Sequence, residues 1–151
     1  MLLHFGCLAV LIQTSAEEIL YRGCIQQSCG ALSDHPAVWM VLPSILFGLS
    51  HYNPALPFNV TAMHCFWAVF FGLAAADLTA RTGTLGAAIG FHFAYNLPLV
   101  VLYSEPGLMS GFGLFIQPTD WASSDPSVIS VFFDLFYLWM VWMACRIGVR
   151  C

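Results

Sequence analysis

The stretch Ala16-Glu17-Glu18-Ile19-Leu20-Tyr21-Arg22 decides how this chain is to be read. Two adjacent carboxylates and an arginine stand in a segment that is apolar on both sides, with Leu8-Ala9-Val10-Leu11-Ile12 before them and Cys24 and Ile25 after them. In a membrane helix each buried charge costs about 2.5–3.5 kcal/mol even on the lenient insertion scale, so it is kept where it pairs, faces a wet cavity or does chemistry. Glu18 and Arg22 are four apart and share a helix face in the favourable Glu-first order. Glu17 is turned about 100° from that pair by the helical repeat. It has no evident partner on its own helix, and the spacing predicts one from another segment.

The surrounding composition says what solvent this helix meets. The 151 residues are 60% hydrophobic and 8% charged, with a mean hydropathy of +0.81 and no lysine. Soluble domains carry about 25% charged residues, so this is an all-α, polytopic membrane composition. A net charge of −4, with the acids dispersed, provides no basic patch for nucleic acid. Cys7, Cys24, Cys29, Cys65, Cys145 and Cys151 form no CxxC pair and read as small buried hydrophobes. The N-terminal run ending Thr14-Ser15-Ala16 has a signal-peptide look but lacks a basic n-region, and cleavage there would strand Glu17 at a terminus.

A span needs about 20 mostly apolar residues, and the pattern predicts a bundle of about five transmembrane helices. The first covers 2–27 and is broken by Ser33, Asp34 and Pro36. The second covers 37–52 with a kink at Pro43, and the third is capped by Asn59 or Thr61 and runs to 81. Asn59-Val60-Thr61 also matches a glycosylation sequon, but capping suits its place better. Thr82-Gly83-Thr84 is a tight turn, the fourth helix covers 85–103, and the fifth covers 127–148 after a long connection whose apolar piece 112–116 is expected at the interface. One domain is expected over 1–151. Arg81, Arg146 and Arg150 fall on one side of this arrangement, opposite Glu105, Asp120 and Asp125. The positive-inside rule puts Arg81 and the C-terminus in the cytoplasm of a multi-pass integral membrane protein, in the plasma membrane if the cell is bacterial.

Polar groups recur inside the spans. The second helix ends Phe47-Gly48-Leu49-Ser50-His51, and the fourth carries His92-Phe93-Ala94-Tyr95-Asn96, with His92 and Asn96 on one face. Lipid does not tolerate such groups apart, so Glu17, His51, His92 and Asn96 are expected to converge on one cavity. A carboxylate beside a histidine can deprotonate a water, and an imidazole and an amide can donate to an oxyanion. The same Glu17, His51 and His92 could instead hold Zn2+ with an open position. Gly86 and Gly90 form a small-residue face expected to pack closely and aim His92. His4, His35 and His64 read as interfacial, Asp77 and Arg81 as a helix-end ion pair, and Asp134 has no assigned role.

Glu17-Glu18-x-x-x-Arg22, then Phe47-x-x-x-His51, then His92-x-x-x-Asn96, on successive membrane helices, resembles the CPBP family of CAAX proteases and bacteriocin-processing proteins, the Rce1-like or Abi family. The run from Arg81 to Gly90 also looks like the family's approach to its last motif, and the motif core is 16–96. The resemblance implies an intramembrane endopeptidase, with Glu17 and His51 activating water, His92 and Asn96 on the oxyanion side, and Glu18 and Arg22 supporting. It implies a membrane-associated peptide substrate, prenylated for some members. The zinc and metal-independent mechanisms use the same residues. Asn96 beside His92 suits the metal-independent one, because an amide is a poor zinc ligand. Family members usually carry further helices before the glutamate motif. A non-catalytic immunity or scaffold protein of the same fold and a small proton- or ion-coupled transporter are the other classes considered. A transporter is expected to show internal repeats and paired helix breaks, and the sequence has neither.

Overall fold

The computed structural model describes residues 2–104, 110–116 and 128–149. Helix α1 (Leu2–Glu18) continues without a break through a π turn (Ile19–Ile25) into α2 (Gln26–Leu32). A second π turn (Ala37–Val41) leads into α3 (Leu42–Ser50), followed by α4 (Phe58–Thr82), α5 (Gly86–Leu97) with a terminal π turn (Pro98–Leu102), and α6 (Val128–Val149). The only strands among the described residues are β1 (Tyr103–Ser104) and β2 (Phe115–Ile116), a two-residue parallel pair. The protein is an all-α membrane bundle. Leu3–Leu32, Phe58–Thr82 and Ile129–Val149 are long and apolar enough to cross a bilayer, and Ala37–Ser50 and Gly86–Leu102 are shorter apolar helices.

The first helix turns the usual soluble pattern inside out. Thr14, Glu18, Arg22 and Gln26 are all buried, while Leu8, Ile12, Ile19 and Leu20 are exposed. Lipid is as apolar as leucine, so polar groups gain most by facing other helices. Four residues overshoot one α-helical turn by about 40°. The π turn at Ile19–Ile25 holds more residues per turn, which keeps Arg22 and Gln26 in line with Glu18. The stripe then meets α4 in step: Arg22 Nη2 donates to the Gly72 carbonyl at 3.2 Å and Gln26 Nε2 to the Ala76 carbonyl at 3.1 Å. These two helices therefore run parallel.

α3 returns antiparallel to α4. A Cβ on Gly48 would stand 2.7 Å from the Cys65 carbonyl oxygen, and one on Gly72 would stand 3.0 Å from Ser44 Cα. These glycines, not Gly86 and Gly90, are where backbones meet. Among the described residues Gly90 has open space around it and Gly86 meets only Thr84, so these two glycines make no close helix contact that would aim His92. A core of Phe47, Ala68, Phe71, Ala75, Leu78, Ala88, Phe91 and Leu138 fills the centre.

Several boundaries differ from the sequence expectation. The first helix runs past 27 to Leu32, because Gly30 is tolerated and the break waits for Ser33 to Pro36. The kink expected at Pro43 is taken up by the π turn just before it. Asn59 and Thr61 lie inside α4, which starts after Pro57 with no side-chain cap, and Thr61 Oγ1 instead accepts from the Asn53 N–H at 2.8 Å. Gly83 makes the expected turn with φ of +66°. The 112–116 piece packs back on α1, with Phe112 against Gly6 and the Leu114 N–H on the Val101 carbonyl at 2.9 Å. None of the five cysteines described is buried, and Cys24 is exposed, because their small side chains lie on outward or intermediate faces. Arg81 and Arg146 share one end of the bundle through Asp77, at 2.9 and 3.4 Å. Glu105, Asp120, Asp125, Arg150 and Cys151 lie outside the described residues.

Candidate active site

The buried stripe of α1 gives the site its charge. Glu18 is 0% and Arg22 1% exposed, and Arg22 Nη1 donates to Glu18 Oε1 at 3.0 Å. The guanidinium also lies 4.6 Å from the Phe47 ring centroid, a cation–π contact in a dry setting. The pair expected from the four-residue spacing is therefore present, and it has a third member. α5 runs antiparallel to α1 and brings His92 Nδ1 within 2.7 Å of the same Glu18 oxygen. An ionised carboxylate can only accept, so Nδ1 of His92 donates to Glu18 and Nε2 is the ring nitrogen left free of that bond.

That free nitrogen faces the other carboxylate. His92 Nε2 is 3.9 Å from Glu17 Oε2, too far for a direct hydrogen bond. Glu17 Oε2 is itself buried and has no hydrogen-bond partner among the described residues. Glu17 does have a partner on its own helix, contrary to the sequence reading: Gln13 Nε2 donates to Oε1. Gln13 Oε1 in turn accepts from Asn96 Nδ2 at 3.4 Å. Two hydrogen-bonded runs thus face each other across that 3.9 Å gap, Asn96–Gln13–Glu17 on one side and His92–Glu18–Arg22 on the other. Aromatic rings wall it: Phe71 lies 4.8 Å and Phe47 6.0 Å from the His92 ring, and His92 is 3% exposed.

Gln13 and Gln26 went unnoticed in the sequence. Each stands four residues from a charge that was noticed, Glu17 and Arg22, and that spacing was the available signal.

His51 takes a different place. It caps the end of α3, exposed, with Nδ1 2.8 Å from the Phe47 carbonyl and its ring 4.6 Å from the Phe47 ring. No hydrogen bond joins it to Glu17 or His92 among the described residues. The hydrogen bond of His51 is made within its own helix. Among the described residues no three His, Cys, Asp or Glu groups are placed to hold a metal. Asp134 is exposed on α6, within electrostatic reach of Tyr95.

A membrane bundle with two adjacent glutamates on its first helix, one of them fully buried and answered by arginine on that helix and histidine on another, defines a class of intramembrane protein with a polar centre. Residues 1–98 match the family described as type II CAAX prenyl endopeptidase Rce1-like. The chain belongs to that family. It is also 33% identical over 115 residues to the uncharacterized protein YyaK of Bacillus subtilis (strain 168), a match that covers 73% of this chain. The chain spans 37% of that relative's length. No solved structure matches.

Proposed function

We propose that the chain is the catalytic unit of an intramembrane endopeptidase that hydrolyses a peptide bond of a membrane-associated, lipidated substrate, using a water held between Glu17 and His92. One observation supports this reading above the others: Glu17 Oε2 is buried and, among the described residues, without a hydrogen-bond partner, 3.9 Å from Nε2 of His92. Two hydrogen bonds of about 2.8 Å meeting at a water reach across that separation. Both flanking atoms are acceptors, so the water gives a proton to each and turns its lone pairs outward, toward a substrate carbonyl.

Glu17 then takes the proton as the water attacks and passes it to the leaving amine. Glu18 fixes the His92 tautomer and ring orientation, and Arg22 balances the Glu18 charge. The second N–H of Asn96 is a donor for the oxyanion. His92 thereby stands on the water side rather than on the oxyanion side that the resemblance implies. The three segments concerned lie within 16–96, so one domain would carry the chemistry. Arg81 and Arg146 would face the cytoplasm by the positive-inside rule. The lipidated substrate class follows from the family's description as a prenyl endopeptidase. The test is incubation of reconstituted chain with prenylated and unprenylated peptides of one sequence. Cleavage of the prenylated peptide alone is expected, and cleavage of neither would overturn the proposal.

A further inference from the structure

A groove of about 410 Å³ lies on the outer face of the bundle, between Phe70 and Ala74 of α4 and Leu135, Leu138, Trp139 and Trp142 of α6. It contains none of Glu17, Glu18, His51 or His92. α4 and α6 run parallel here, and both lead to the same charged end. From Leu135 to Trp142 the helix rises about 10 Å, within one leaflet of a hydrocarbon slab about 30 Å thick. The groove therefore lies directly below Arg81 and Arg146.

Trp142 joins the apolar groove to the charges. Its ring lines the groove, its Nε1 donates to Asp77 Oδ2 at 3.0 Å, and the Arg146 guanidinium lies 4.8 Å from its ring centroid. Asp77 also accepts from Arg81 at 2.9 Å and pairs with Arg146 at 3.4 Å. Two guanidinium groups thus share one carboxylate. The Arg81 and Arg146 side chains stay 37% and 29% exposed while that of Asp77 is 15% exposed, so the open face of the cluster is cationic.

We infer that this groove is a binding site for one anionic glycerophospholipid, its acyl chain between α4 and α6 and its phosphate on Arg81 and Arg146. Charge complementarity selects this occupant. Arginine forks match phosphate oxygens, and a basic pocket between membrane helices at the interface is the setting in which anionic headgroups are held. A zwitterionic lipid offers the same phosphate but brings its own cation to the cluster. The discriminating quantity is therefore the headgroup's net charge.

The full chain, released from neutral detergent, would be titrated with phosphatidylglycerol or phosphatidylcholine of identical acyl chains and followed by native mass spectrometry. One phosphatidylglycerol per chain is expected, retained about fivefold better than phosphatidylcholine, the weight of one unmatched arginine near the headgroups. Arg81→Gln with Arg146→Gln should bring the ratio to about one. Arg146→Lys keeps the charge and should keep the preference, which controls for loss of the Asp77 partners. Ala74→Leu, which narrows the groove, should lower retention of both lipids. Equal retention of the two lipids by the unmodified chain would overturn the inference. So would a preference unchanged in the double variant, or a dimer whose formation expels the lipid and shows that a second copy covers the groove.

Discussion

Replacing Arg22 by methionine should cost the bundle much of its stability, and the amount can be worked from its contacts. The side chain is 1% exposed and donates to Glu18 Oε1 at 3.0 Å and to the Gly72 carbonyl at 3.2 Å. Its removal leaves the Glu18 carboxylate buried with His92 alone, and breaking a buried pair in this way costs about 3–5 kcal/mol. The Gly72 carbonyl loses its side-chain donor, which adds about 1 kcal/mol. A loss of about 4–6 kcal/mol corresponds to a fall in Tm of about 10–20 °C for a chain of this size. Thermal unfolding of the purified protein in detergent reads it directly. Arg22→Lys should lose roughly half as much, because it keeps a charge beside Glu18 but gives up the planar contact with Phe47 and the second donor. Glu18→Gln combined with Arg22→Met should recover most of the loss, since exchanging both members of a buried pair is often near neutral. An Arg22→Met protein within about 1 kcal/mol of the parent, or a double variant no better than the single one, would refute the view that Arg22 acts chiefly by neutralising Glu18.

Gly48→Ala should destabilise by about 1–3 kcal/mol through overpacking against the Cys65 carbonyl, whereas Gly90→Ala, into open space, should be neutral or slightly stabilising in the same unfolding assay. Gln13→Leu should leave Tm nearly unchanged, because Gln13 is exposed, yet lower kcat by up to about a hundredfold, because Glu17 loses the contact that sets its angle. Single cysteines at Thr84 and Ala55, in a background whose native cysteines are replaced, should be labelled from opposite sides of sealed vesicles. Labelling from one side would contradict the alternating passes.

Much of this arrangement was readable because a charge in lipid is expensive. Glu18 and Arg22 announced themselves by their spacing, and the helix order followed from apolar runs punctuated by Pro36, Pro54, Pro57 and Gly83. The assignment of His92 was not readable. Its spacing from Asn96 shows a shared face, but only the antiparallel approach of α5 to α1 decides that Nδ1 meets Glu18 and Nε2 looks toward Glu17. The glycine contacts were ambiguous for a related reason. A small residue shows where a neighbour can approach, and both Gly48 and Gly90 qualify, but helix order and tilt decide that α4 covers only the former. The π turn left no local signature in Ile19–Ile25, because it is stabilised by the line of polar contacts that Arg22 and Gln26 make with another helix.

The most direct measurement is product analysis by mass spectrometry after the reconstituted chain has acted on a prenylated peptide in water enriched in oxygen-18. Hydrolysis by a water held at Glu17 should place one heavy oxygen in the new carboxylate, and Glu17→Gln, which preserves shape and can keep the Gln13 contact, should yield no labelled product at unchanged Tm. Labelled product formed at the parent rate by Glu17→Gln, or peptide left intact by the unmodified chain, would contradict the account.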